Sequence, residues 1–134
     1  MRFFIDTNIF LNALLNRDNE TSKEILCFLE LKGVFLYIND ITILNSIYIA
    51  RKHFDEVKNE VFKLKRKFNL VAVNNEILEL AFQSNFKDFE DGVQYYSAKS
   101  INADLIITDN KKDFIYSDID VMDSIEFYNK FIKG

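Results

Sequence analysis

The chain has 134 residues, the size of one domain, with 49% hydrophobic and 28% charged residues, an ordinary soluble composition. One Cys and one His exclude an internal disulfide and the usual Cys/His zinc site, and no apolar stretch approaches the roughly 20 residues that span a bilayer. Asp6 interrupts the first apolar run, so the start does not read as a signal peptide and the expected compartment is the cytoplasm.

The first element is the apolar run 3–5, which ends in Asp6 with Thr7 and Asn8 directly behind it. Apolar residues then resume at helical spacing at Ile9, Leu11, Ala13, Leu14 and Leu15, which predicts a buried strand, a sharp turn and a helix. Asp6 has two readings here. It is a helix N-cap, a role Asp fills well, or it is a chemical group at the carboxyl end of a strand, where open α/β sheets place their ligand crevices. A helix over 21–32 follows, opened by Thr21-Ser22-Lys23-Glu24 in capping-box spacing, with Cys27 in its apolar run and assigned to the core. Apolar runs of strand length recur at 34–38, 70–73, 105–107 and 119–122. Helical periodicity fills 41–53, 54–67, 75–83, 89–101 and 123–132. Short apolar strands alternating with helices predict a single α/β domain over 1–134, with a parallel sheet covered on both faces. The net charge of −4 disfavours a nucleic-acid partner on average, yet residues 58–67 carry Lys58, Lys63, Lys65, Arg66 and Lys67 as a locally basic stretch, by default a solvated helix face.

A second acidic signal opens the last long helix. Asp88 and Asp91 are spaced as a cap and its N3 partner, and acids in a first turn suit the helix dipole. Asp91, Gln94, Tyr95 and Ala98 also share one face at i, i+3, i+4 and i+7, whereas Asp88 and Glu90 are expected to point elsewhere, into solvent. A carboxylate and an amide buried unpaired on that face would be costly, which a metal or polar ligand would explain. The third signal follows the strand at 105–107: Thr108, Asp109, Asn110 and Asp113 sit just past its end. In a parallel sheet these ends share one edge, so Asp6, Asp91 and an acid from 109–113 can converge. Such an oxygen-only cluster suits Mg²⁺ or Mn²⁺, and a divalent ion relieves its repulsion.

With these blocks in order along nearly the whole chain, the sequence resembles the PIN domain ribonucleases, which include toxins of many toxin–antitoxin pairs. The carrying residues are Phe4-Ile5-Asp6-Thr7-Asn8-Ile9, then Asp88-Phe89-Glu90-Asp91 with Gln94 and Ala98, then Ala103 to Phe114. The resemblance implies a PIN-like three-layer α/β/α fold with a five-stranded parallel sheet. It also implies Mg²⁺- or Mn²⁺-dependent endonucleolytic cleavage of single-stranded RNA, an antitoxin partner and a homodimer. Asp6 matches the first family acid and Asp91 the third. The fourth is open between Asp113, which matches an Asn-x-x-Asp-Phe ending, Asn110, which is Asp in other branches, and Asp109, which is often Arg in relatives. Thr7, Asn8, Gln94 and Thr108 are expected to line the same pocket. The second family acid is normally a Glu early in the helix after strand two, and here Asn45 stands in its place.

The expected mechanism has Asp6, Asp91 and Asp113 holding one or two divalent ions, with Asn45 completing the catalytic set. RNA would approach along Arg51, Lys52, Lys63, Lys65 and Arg66, with Tyr48 or Tyr95 available to stack on a base. Core packing is the competing reading for both tyrosines, and His53 is expected at the surface. The rival function, favoured by Asn45, is a catalytically weak or inactive PIN-like module that binds RNA or protein. A phosphoacceptor receiver domain ranks low, because the late strands lead into Asn110-Lys111-Lys112 and Ser124 rather than a phosphoacceptor Asp with a nearby Lys, and metal-dependent hydrolysis of another phosphate ester is a further alternative separable by substrate screening.

Overall fold

The computed structural model describes residues 1–134. Five parallel strands, β1 (Arg2–Ile5), β2 (Phe35–Asn39), β3 (Asn69–Val71), β4 (Leu105–Ile107) and β5 (Asp120–Met122), form one sheet in the order β3-β2-β1-β4-β5. The expected strands are all present, shifted at their ends by no more than a residue or two. Helices α1 (Thr7–Leu15), α2 (Thr21–Leu31), α3 (Asp40–Ala50), α4 (Val57–Lys65), α5 (Asn75–Gln83), α6 (Phe89–Ser100) and α7 (Ser124–Phe127) make the connections. A single 3-10 turn, Lys111–Phe114, follows β4, and α7 loosens into a π-helical turn at Tyr128–Lys133. No helix is long and apolar enough to cross a membrane.

The alternation of side chains along each strand builds two apolar layers. Phe3 and Ile5 of β1, Leu36 and Ile38 of β2, and Leu105 and Ile107 of β4 pack with Phe10, Ile25, Leu29, Val61 and Phe127 on one face. Phe4 and Ile106 face the other way, against Ile77, Ala81, Val93, Tyr95, Ala98 and Phe114. The sheet is therefore buried on both sides, as the three-layer expectation required.

Two local expectations fail. The capping box at Thr21 does not form: Glu20 sits in the left-handed region without a capping bond, and Asp18 instead accepts from the Ser22 backbone N–H at 3.1 Å. Cys27 is exposed, because α2 buries Ser22, Ile25, Leu26 and Leu29 and turns Cys27 away from that face. A true capping box forms further on, where Asp123 and Glu126 bond reciprocally at the start of α7.

Two features aim the functional edge. β1 lies between β2 and β4, so the chain leaves it in one direction early and returns on its other side late. The carboxyl ends of β1 and β4 flank that switch point, the place where parallel sheets open a crevice. Gly92 lies in the first turn of α6, where an added Cβ would meet the Ala81 Cβ at 3.3 Å and the Ser84 Oγ at 3.4 Å. Its missing side chain lets α5 press close beside the acidic start of α6.

Candidate active site

β1 delivers Asp6 to the switch point almost fully buried, at 4% exposure. Its Oδ1 accepts from the Thr7 backbone N–H at 2.9 Å and from Gln94 Nε2 at 2.9 Å; its Oδ2 accepts from Thr108 Oγ1 at 2.6 Å and Asn8 Nδ2 at 3.3 Å. The bond from Thr7 caps α1, as the first reading of Asp6 expects, and the same carboxylate lies at the crevice where the second reading needs it. Four donors fill roughly the four lone-pair positions that a carboxylate offers. The longest of these bonds comes from Asn8, a residue on the cavity wall.

Beneath Asp6 runs a buried amide relay. Asn39 caps α3, its Oδ1 accepting from the Thr42 backbone N–H at 3.1 Å. That fixes its Nδ2 as the end that donates to Gln94 Oε1 at 2.5 Å and Ser97 Oγ at 3.0 Å. With Oε1 so engaged, Gln94 must present Nε2 to Asp6, and the same nitrogen donates to Thr7 Oγ1 at 3.1 Å. Asn39 and Gln94 are 0% and 1% exposed, so the Asn39–Gln94, Asn39–Ser97 and Gln94–Asp6 bonds lie out of water, while the bond to Thr7 is part-buried. Gln94 and Thr108 therefore sit under Asp6 and support it, and neither reaches the cavity wall as expected of them. Asn39 is a site residue the sequence reading missed; its position three residues before Thr42, at a strand-to-helix junction, is the cap signal that marks it.

Above Asp6 opens a cavity of about 610 Å³ whose wall includes Thr7, Asn8, Asn45, Asp91, Asn110 and Asp113. Asp88 and Glu90 are exposed as expected, yet they line the mouth of this cavity rather than pointing away from it. Asp88 caps α6 through the Asp91 backbone N–H at 3.1 Å. Asn45 on α3 donates its Nδ2 to Glu90 Oε1 at 2.6 Å, and this bond turns Glu90 into the cavity. Lys87 and Lys112 are the cationic residues on the wall, and neither forms an ion pair. Five carboxylates thus share the space without a partnered positive charge. Burial, followed by repulsion from Asp6, Asp88, Asp113 and Glu90, pushes the Asp91 carboxyl up to about 7. Burial, with Asp88 and Asp6, raises Glu90 as well, opposed by its bond from Asn45.

Asp109 leaves the expected pocket set. Its Oδ1 accepts from the Ser124 backbone N–H at 3.0 Å and Ser124 Oγ at 2.8 Å, and its Oδ2 from Asn12 Nδ2 at 3.3 Å, so it ties the loop after β4 to α7 and α1. Tyr95 is buried against Phe86 and Tyr96 and donates to Asp118, so core packing claims it and it is closed to a stacking base. Tyr48 is exposed, with the Arg51 guanidinium 3.9 Å above its ring. Arg51, Lys52, Lys63, Lys65 and Arg66 do not line the cavity. Tyr116, which does line it, was not anticipated, although it follows Asp113 by only three residues.

No three carboxylate, imidazole or thiolate groups are drawn tightly enough together to enclose one ion. The donors nevertheless fit a hard divalent cation: they are all oxygens, they carry unpartnered negative charge, and Asp6 keeps one long, displaceable bond at the wall. Asp91 and Asp113 are both open enough to rotate toward it.

A family model described as PIN domain matches residues 2–112, and the chain belongs to that family. No curated protein sequence matches it. Solved structures match throughout the fold. VapBC2 from Rickettsia felis, bound to a DNA fragment from their promoter, aligns with TM-score 0.69 and 17% identity over 92% of this chain and 98% of that one. A toxin–antitoxin complex from Klebsiella pneumoniae aligns with TM-score 0.66 and 23% identity over 84% and 89%. VapC20 of Mycobacterium tuberculosis, a sarcin-ricin loop cleaving toxin, aligns with TM-score 0.58 and 9% identity over 78% and 86%.

Proposed function

We propose that this PIN domain chain is a metal-dependent endoribonuclease that cleaves single-stranded RNA and serves as the toxin of a toxin–antitoxin pair. The observation that carries the reading is the cavity over Asp6, where several carboxylates meet at the switch point of the sheet and none of them forms an ion pair with a Lys or Arg. Family membership supports nuclease chemistry, and the likeness to a toxin–antitoxin complex and to an RNA-cleaving toxin supports the biological role.

Asp6, Asp91 and Asp113 are the residues that would hold Mg²⁺ or Mn²⁺. Such an ion, when bound, lowers the pKa of water and offsets charge on a phosphate. The chain's own contribution begins with Asp6, whose orientation is fixed from below by Gln94 and Thr108. Asp91, on the rim of the same cavity, orients the attacking water and accepts its proton at an Oδ atom. Lys87 and Lys112 on the wall draw the phosphate backbone toward the acids, and the exposed Tyr116 offers a ring to a splayed base. Arg51 and Lys52, outside the cavity, extend the track for longer RNA.

The test is cleavage of an end-labelled single-stranded RNA with Mn²⁺ by the wild type and by Asp6→Asn. Loss of cleavage by at least about 10²-fold in the variant supports the enzyme. Absence of cleavage in the wild type, with RNA binding retained, supports the second reading, a binding module, for which the neutral Asn45 is the specific observation.

A further inference from the structure

We infer that Glu90 carries the negative charge that Asn45 lacks, and that Asn45 acts as the positioning residue that holds Glu90 over the metal-binding cavity. The inference rests on the metal-dependent reading above and assigns Glu90 to the site's ligating charge. Consecutive helix positions point about 100° apart, so Glu90 and Asp91 would not share a face by helix geometry alone. They share the cavity because Asn45 reaches across from α3 and donates Nδ2 to Glu90 Oε1 at 2.6 Å, a short charge-assisted bond between residues of two different helices. That bond leaves Glu90 Oε2 free, and no Lys or Arg forms an ion pair with it. Glu90 also has the longer reach of a glutamate, which suits a carboxylate arriving from one residue outside the acidic face. A residue whose only duty was to join α3 to α6 would not need the charge, since a neutral glutamine offers the same Oε1 acceptor to Asn45.

Isothermal titration of the full chain with MnCl₂ separates these roles, with the melting temperature without metal as the control for folding. Glu90→Gln keeps an oxygen to accept from Asn45 and removes only the charge; its Mn²⁺ affinity is expected to fall about tenfold or more, with a metal-free melting temperature no lower than that of the wild type. Asn45→Ala, which frees Glu90 without removing it, is expected to lose roughly threefold to tenfold. The transposed double variant Asn45→Glu with Glu90→Gln returns the charge to α3 and is expected to recover affinity to within about threefold of the wild type. Wild-type binding of Mn²⁺ together with Glu90→Gln binding within about twofold of it overturns this assignment and leaves the metal reading standing. No Mn²⁺ binding by the wild type overturns the metal reading itself, and this assignment with it.

Discussion

Asp6 on the floor of the cavity and Asp91 on its rim are both aspartates at the start of helices, yet they live under opposite regimes. Asp6 is buried and saturated by four donors, two from its own turn at Thr7 and Asn8 and two from the distant Gln94 and Thr108. Asp91 is half-buried and accepts no bond from a side chain, and that burial, with the like charges around it, holds its proton to about pH 7. The floor is rigid because burial makes any unmatched polar atom expensive. The rim stays adjustable because its charges are near water and poorly neutralised. A site that must place a cation and then let a substrate in and out needs one fixed reference and several movable arms. The difference between the two regions supplies both.

The strongest way to break that contrast is to loosen the floor. Gln94→Leu leaves Asn39 Nδ2 with Ser97 alone and strips Asp6 Oδ1 of one donor. The expected result is a stability loss of about 1–3 kcal/mol by chemical denaturation, with cleavage reduced more than substrate binding. An unchanged denaturation midpoint would show the relay to be incidental. Acid titration sharpens the contrast from the rim side. The Asp91 carboxyl ionises near 7 when folded and near its ordinary 3.8 when unfolded, so between these values the folded state holds the extra proton. Its contribution therefore favours the fold at low pH and is lost as pH rises from about 4 to about 7. Metal-free wild type should lose melting temperature over that range relative to Asp91→Asn, and Mn²⁺ should restore it at pH 7. Parallel curves for the two proteins would refute the assignment. The smallest expected effect belongs to the outer wall. Lys112→Ala should weaken RNA binding severalfold and reduce the slope of log affinity against log salt by about one, while melting is unaffected.

The fold was legible because its strands are short apolar blocks separated by helical periodicity, and residues 105–107 are uniformly buried as their sequence suggests. Periodicity is weaker at ends. The helix expected from residue 54 begins only at Val57, and the terminal helix turns π-helical after Phe127. Asp6, Asp91 and Asp113 were legible as one cavity because each is tied to a strand end or a helix start that the topology brings to one edge. Glu90 was not, since helical spacing assigns it to another face and only its tertiary partner Asn45 turns it inward. Asp109 misled for the mirror reason: its place beside Thr108 looks like pocket, but the hydroxyl and amide that claim it come from Ser124, after the next strand. Side-chain direction depends on partners far apart in the chain, and spacing alone does not carry that information.

The amide relay has a direction, and the direction begins far from the chemistry. Asn39 spends its oxygen on the first turn of α3 and so has only its nitrogen to give to Gln94. Replace that nitrogen with oxygen, as an Asn39→Asp substitution would do, and the message reverses. Gln94 would turn its own nitrogen back toward residue 39 and set a carbonyl oxygen against Asp6. One atom's identity, at a residue with no access to water or substrate, would then decide whether the central carboxylate meets a donor or another acceptor.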